Sequence, residues 1–206
     1  MPSTTTDTRP GRPRPGRFSS LVSGRNALFA LACFAAVMTV MFVATTRFYD
    51  AHGVGILNLL GARNAADPRS GGYSADTAYS WLGAYGADGR RDHLLILLLD
   101  LPLMTSFAAF ASITLRWAVP RAGRRLRTAF VVVPLAAVAF NLLEDLGLTA
   151  LLLSYPTRFD GLAVAISTVN GLKSLCYAVS LFAVVGTAGA RLLTVRGRRC
   201  RLADQS

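Results

Sequence analysis

The chain has 206 residues, of which 52% are hydrophobic and 16% charged, and its formal net charge is +11 at pH 7. This composition is atypical of soluble domains and predicts a small polytopic membrane protein. A disulfide-stabilised fold is not expected, because Cys33 and Cys176 fall inside predicted spans and Cys200 in a predicted cytoplasmic tail.

Four apolar windows reach the ~20 residues that a membrane-spanning helix requires. They are Ala27–Thr46, His93–Leu115, Thr128–Leu153 and Leu162–Leu193. Their apolar runs lack the alternation of barrel strands, so the predicted fold class is all-α, a four-helix transmembrane bundle. The apolar core of the first window is longer than that of a usual signal peptide, which favours an uncleaved helix.

The predicted membrane domain covers residues 26–195 and lies between two basic tails, 1–25 and 196–206. The first tail is rich in Pro, Arg and Ser and is predicted to be disordered. Arginines cluster before the first span, between the second and third spans, and after the fourth span. The three clusters are Arg9, Arg12, Arg14, Arg17 and Arg25; Arg116, Arg121, Arg124, Arg125 and Arg127; and Arg191, Arg196, Arg198, Arg199 and Arg201. The positive-inside rule places all three in the cytoplasm, which predicts a cell-membrane protein with both termini cytoplasmic. Anionic lipids account for these arginines, and binding of RNA or DNA is the weaker interpretation.

The connection between the first and second spans, Arg47–Asp92, is the one large segment on the outer side. Within it, Ala78, Trp81, Leu82 and Tyr85 follow helical spacing and predict a short amphipathic helix over about Ala75–Tyr85. That helix either lies at the membrane interface or covers a cavity as a lid, with Trp81 and Tyr85 facing a ligand. Gly83, Gly86 and Gly89 predict a flexible passage into the second span.

Four ionisable residues lie inside predicted spans: Asp100, Glu144, Asp145 and Lys173. Glu144 is the only glutamate in the chain and Lys173 the only lysine. Four such residues cost on the order of 10 kcal/mol in a bilayer before compensation. At 1.5 Å per residue, each lies roughly 10–16 Å below the outer end of its helix, so they are predicted to meet at one depth.

Helical spacing also groups these residues by face. The predicted stripes are Asn141, Glu144, Asp145 and Leu148 on the third helix; Asn170, Lys173, Ser174 and Tyr177 on the fourth; and Asp100, Met104 and Phe107 on the second, beside a kink at Pro102. Three polar stripes at one depth predict a polar chamber that opens outward. Its predicted aromatic walls are Phe107, Phe110, Phe140 and Tyr177.

A structural ion pair between Lys173 and either Glu144 or Asp145 is the simplest alternative to a functional site. It leaves two negative charges in a low dielectric, so at least one carboxyl is expected to be neutral there. A neutral carboxyl can donate a hydrogen bond or act as a general acid. Two histidines, His52 and His93, without a cluster of further ligands make metal binding the weaker hypothesis.

Several short motifs carry a resemblance to a known family. They are Tyr85, Gly86-Ala-Asp-Gly89-Arg90, Asp100-Leu-Pro102, Asn141-Leu-Leu-Glu144-Asp145 and Lys173. Over roughly residues 45–190 this order resembles a family of small four-helix bacterial membrane proteins. Within that family it is similar to actinobacterial membrane-integral terpene cyclases of the drimentine type. Members of that family commonly have an Asp-x-x-Glu-Asn-like motif on the third helix. In this chain the acid and the amide of that motif are exchanged, because Asn141 stands in the first position and Asp145 in the last.

The resemblance implies a protonation-initiated cyclase that acts on a farnesyl chain attached to an indole-containing diketopiperazine. It implies Glu144 or Asp145 as proton donor, and Asp100 as donor, orienting group or terminal base. Asn141, Asn170 and Lys173 would orient these acids, and aromatic side chains would stabilise carbocations. No metal or cofactor is required, and a prenyltransferase would supply the substrate. The alternatives are a small proton-coupled transporter and a structural or accessory membrane subunit.

Overall fold

The computed structural model describes residues 23–57 and 73–203, with side chains as far as residue 194. It has four helices, α1 (Gly24–His52), α2 (Ala75–Ala118), α3 (Arg124–Ser154) and α4 (Asp160–Ala203), and no strand in the part described. All four are long and apolar enough to cross a membrane. The predicted all-α bundle of four transmembrane helices is therefore confirmed. Most of the predicted disordered tail, and the side chains of the C-terminal tail, lie outside the described residues.

The helices extend beyond the apolar windows because caps, and not hydropathy, determine where they begin and end. In α1 the Ser23 hydroxyl accepts a hydrogen bond from the Asn26 N–H at 3.1 Å, and the helix ends at Gly53 in the left-handed region. Gly24 and Arg25, predicted to belong to the disordered tail, are the first two residues of this helix.

The predicted amphipathic helix and the second span are joined in α2, whose dihedral angles are broken at Gly86 (φ 66°, ψ −171°). A side chain is strained in that conformation, so glycine is required there. The break falls within the predicted glycine passage. Pro102, where a kink was predicted, keeps helical dihedral angles.

Helix α2 is central, because it packs against α1, α3 and α4, and α3 in turn packs along α4. Helix α3 approaches α4 closely at Gly147, where an added Cβ would lie 2.5 Å from Cγ1 of Ile166. Small residues permit such close helix contacts in membranes. This contact brings the polar stripes of α3 and α4 together.

The segment Tyr73–Tyr85, here termed the cap segment, covers the end of the bundle at which α1 and α3 end and α4 begins. Its Ala78 and Leu82 are fully buried, in one apolar cluster with Leu148 and Leu151 of α3. Polar contacts hold both its ends: Tyr85 donates to the Gly55 carbonyl at 2.9 Å, and Arg158 bridges to Asp76 at 2.6 Å. Asp76 and Asp160, both bonded to Arg158, raise the pKa of this guanidinium.

Candidate functional site

Glu144 and Lys173 form a buried ion pair between α3 and α4. The ammonium of Lys173 donates to Oε2 of Glu144, and the Asn170 amide donates to Oε1 at 2.5 Å. Asn170 and Lys173 share a face of α4 because they are three residues apart. Both oxygens of Glu144 are therefore occupied, and its charge is compensated.

A second polar group lies beside this pair and joins α2 to α3. The Asn141 amide donates to Oδ2 of Asp145 at 2.7 Å, one helical turn further along α3. The side chain of Asn141 also interacts with the carboxyl of Asp100 on α2. Two carboxyls thus share one amide, while the ammonium of Lys173 forms its salt bridge with Glu144. The predicted convergence of the four ionisable residues is confirmed by these contacts.

A cavity of about 390 Å³ lies on the α1 side of α2. Its lining is largely apolar, and the charged side chains that reach it are Asp100 and Lys173. Phe107 and Tyr177 form an aromatic wall, with ring centroids 4.5 Å apart, and the Tyr177 hydroxyl donates to Sδ of Met104. The structure therefore places an acid, an ammonium and aromatic faces around one apolar space.

Helix α1 supplies much of the lining, which sequence reasoning missed. The lining residues of α1 are Phe34, Met38, Met41, Phe42 and Thr45. Their spacing of three and four residues marks one helix face, but α1 is apolar on all sides, so no contrast distinguished that face. The Phe34 ring lies 5.6 Å from that of Phe107 and extends the aromatic wall.

The predicted polar chamber opening outward is corrected in two respects. The cavity wall is mainly apolar, since the polar stripes of α3 and α4 satisfy each other behind it. Its lining includes no residue of the cap segment, and Met38 and Phe42 on α1 are 44% and 69% exposed. The accessible side of the cavity therefore faces the lipid.

Several predicted site residues lie outside the cavity lining. Asn141, Glu144 and Asn170 are buried behind it, and Asp145 faces a separate groove between α2 and α3 that is lined mainly by leucines. Phe110 stacks on Phe34 at 5.8 Å without reaching the cavity.

The remaining three predicted binding residues are aromatic. Phe140 is half-buried on α3 and does not line the cavity. Trp81 and Tyr85 pack within the cap segment, where Tyr85 contacts the rings of Phe48 and His93. These two side chains stabilise the cap and do not face the cavity.

Tyr73 is a buried residue near the site that sequence reasoning did not assign. Its backbone N–H donates to the hydroxyl of Ser167 at 2.7 Å, which ties the start of the cap segment to α4. Burial, and secondly the charge of Glu144, raise the pKa of its hydroxyl, so it stays protonated. No periodic signal identifies it, because it lies outside any helix.

The two histidines lie at the same end of the bundle as the cap segment, apart from the cavity. His52 contacts Asp92 at 3.0 Å, and His93 is fully buried. Among the described residues no three His, Cys, Asp or Glu side chains are grouped to hold a metal ion.

No protein-family model, curated protein or solved structure matches the chain.

Proposed function

We propose that the protein is a membrane-integral terpene cyclase that protonates and cyclises the prenyl chain of a small molecule. The observation that supports this function best is Asp100, a carboxyl exposed to an apolar, aromatic cavity that opens toward lipid. Its volume of about 390 Å³ falls in the range of small-molecule sites, roughly 300–1,000 Å³. A prenyl chain dissolved in the bilayer has direct access to such a cavity.

The balance of charges among Asp100, Glu144, Asp145 and Lys173 favours one neutral carboxyl. Lys173 is paired with Glu144, so Asp100 and Asp145 would leave two uncompensated charges if both were ionised. Uncompensated charge inside a membrane is strongly unfavourable, and the cluster therefore retains at least one proton. Asp100 is the one acid among the described residues that line the cavity, so it is the proposed proton donor.

This assignment differs from the expectation that Glu144 or Asp145 donates the proton. Both oxygens of Glu144 accept hydrogen bonds from cations or amides, and Asp145 faces the groove on the other side of α2. In the proposed mechanism Asn141 orients Asp100, and the nearby ammonium of Lys173 stabilises the Asp100 carboxylate after transfer.

The proposed reaction conserves the proton. Asp100 transfers its proton to a terminal alkene carbon, and the alkene π electrons form the new C–H bond. The resulting carbocation is attacked by the next alkene, while the faces of Phe34, Phe107 and Tyr177 stabilise the charge. Loss of a neighbouring C–H proton to the Asp100 carboxylate forms the final alkene. The product is an isomer of the substrate.

The nature of the substrate rests on the family resemblance, which implies a farnesylated indole or diketopiperazine made by a prenyltransferase. A cell-membrane location with both termini cytoplasmic belongs to the same proposal. It is supported by Arg116, Arg121, Arg124, Arg125 and Arg127, which all lie at the end opposite the cap segment.

The test is conversion of a farnesylated indole diketopiperazine by membranes that contain the full chain. We expect a product of unchanged mass with fewer alkene carbons. The Asp100→Asn variant should lose the product, and Asp88→Asn, an identical change at an exposed site, should keep it. Normal turnover by Asp100→Asn would overturn the acid mechanism.

One observation favours a proton-coupled carrier as a second candidate. Asn141 connects Asp100, at the cavity, to Asp145, at the leucine-lined groove, so carboxyls reach two faces of α2. A carrier predicts proton flux into proteoliposomes that depends on Asp145. Product formation in detergent without a gradient favours the cyclase.

A further inference from the structure

A second, separate groove lies at the end of the bundle opposite the cap segment. It has a volume of about 670 Å³ and lies between the α2–α3 connection and α4. Its polar lining consists of Arg121, Thr187, Arg191 and Thr194. It shares no lining residue with the cavity at Asp100, so the proposed cyclase activity makes no use of it.

The guanidinium of Arg191 is held in place before any ligand arrives. It lies over the Trp117 ring, 4.6 Å from the ring centroid, and donates a hydrogen bond to the Trp117 carbonyl. Trp117 itself is positioned by α1, since a Cβ added at Gly24 would lie 3.1 Å from its indole nitrogen. One aromatic contact and one carbonyl leave most guanidinium N–H groups available.

No acid on the adjoining elements neutralises this groove. The sequence has no Asp or Glu between Asp7 and Asp50, between Asp100 and Glu144, or between Asp160 and Asp204. These intervals include the parts of α1, α2, α3 and α4 that lie at this end. The groove is therefore electropositive and favours the binding of an anion.

The side chains of the groove match a phosphate group on a lipid. Guanidinium forks bind phosphate oxygens in a bidentate manner, and threonine hydroxyls donate to the remaining oxygens. Ala118, Val119, Pro120 and Ala190 line the same groove, which provides an apolar surface for acyl chains. A free phosphate would make no use of that surface.

We propose that this groove binds the phosphodiester headgroup of an anionic phospholipid, with Arg121 and Arg191 as its ligands. Basic pockets between transmembrane helices bind such headgroups by the same chemistry. The bound lipid would join the α2–α3 connection to α4, because one phosphate group would contact Arg121 on the connection and Arg191 on α4.

The test uses the full chain in detergent with Trp81→Phe, so that Trp117 is the remaining tryptophan. Trp117 fluorescence is titrated with phosphatidylglycerol, phosphatidylcholine or inorganic phosphate. We expect a saturable change with phosphatidylglycerol alone. Arg121→Gln should raise the midpoint about fivefold, and Arg91→Gln, an exposed arginine at the other end, should leave it unchanged.

Arg191→Gln should weaken binding further but also removes the Trp117 contact, so the exposed Arg121 is the decisive position. The proposal is overturned if phosphatidylcholine produces the same saturable change. It is also overturned if inorganic phosphate saturates at the midpoint of phosphatidylglycerol, or if Arg121→Gln and Arg91→Gln share one midpoint. A cyclase assay is not involved, so this outcome is independent of the proposed function.

Discussion

The ammonium of Lys173 on α4 donates to the carboxylate of Glu144 on α3, and their side chains are only 9% and 0% exposed. Because Glu144 also accepts the Asn170 amide, its two oxygens are saturated. This pair divides the polar cluster into a compensated half on α3 and α4 and a protonatable half, Asp100 with Asp145. Of the protonatable half, Asp100 lines the cavity, and it is therefore the acid of the proposed mechanism.

Removal of the Lys173 ammonium should destabilise the bundle strongly. Lys173→Met leaves Glu144 buried without its cation, and loss of one partner of a buried pair costs about 3–5 kcal/mol. Thermal unfolding in detergent measures the change. Leu175→Met, on the lipid-facing side of α4, should stay within about 0.5 kcal/mol.

The double variant Lys173→Met, Glu144→Gln should recover much of that loss, because no buried charge remains unpaired. If the single and double variants unfold at the same temperature, the pair does not hold α3 to α4.

The aromatic wall should control the rate of cyclisation. Phe107→Leu keeps an apolar side chain but removes the π face beside Tyr177, and cation–π stabilisation of about 0.5–2 kcal/mol corresponds to a roughly 2- to 30-fold slower turnover. Mass spectrometry and NMR of the products should also show premature deprotonation products.

The matched control is Phe182→Leu, because that ring is 79% exposed on α4 and away from the cavity. Equal rates and equal products for the two leucine variants would remove the aromatic wall from the mechanism.

The break at Gly86 should tolerate no side chain. Its φ of 66° makes Gly86→Ala unfavourable by about 1–2 kcal/mol. The substitution should lower the unfolding temperature and loosen the cap segment, which limited proteolysis would detect. Gly161→Ala, at an ordinary helical position with open space around it, should be neutral or stabilising by up to about 1 kcal/mol. An equal response at both glycines would contradict the strained geometry.

The contact between Gly147 and Ile166 should behave as a steric limit. Gly147→Ala places a Cβ against Ile166, and overpacking of this kind costs about 1–3 kcal/mol. Unfolding in detergent should show this loss, and Ile166→Val in the same chain should relieve part of it. Gly186→Ala, where a Cβ meets nothing within 4 Å, provides the comparison. Additive effects of the two changes at the contact would argue against direct packing.

The number of helices, their type and the depth of the ionisable residues could be predicted from local properties. The length of each apolar window matches the thickness of a bilayer, which predicts one spanning helix per window. A rise of 1.5 Å per residue converts the position of a residue in its helix into a depth, and on this basis Glu144 and Lys173 are predicted to meet. The amphipathic spacing of Ala78, Trp81 and Leu82 and the neighbouring glycines likewise predicted the cap helix and its break. Each of these signals lies within one helix.

The partners of each polar group were decided only by the tertiary structure. From its position Lys173 could pair with Glu144 or Asp145, and in the packed bundle it pairs with Glu144. Of the α1 residues that line the cavity, Thr45 alone is polar, so hydropathy does not distinguish this face of α1 from its other faces. Sequence alone therefore determined which segments form the long apolar helices and which polar residues lie within them. Packing decided which carboxyl faces the cavity, because the rotation of a helix depends on its neighbours and not on its own hydropathy.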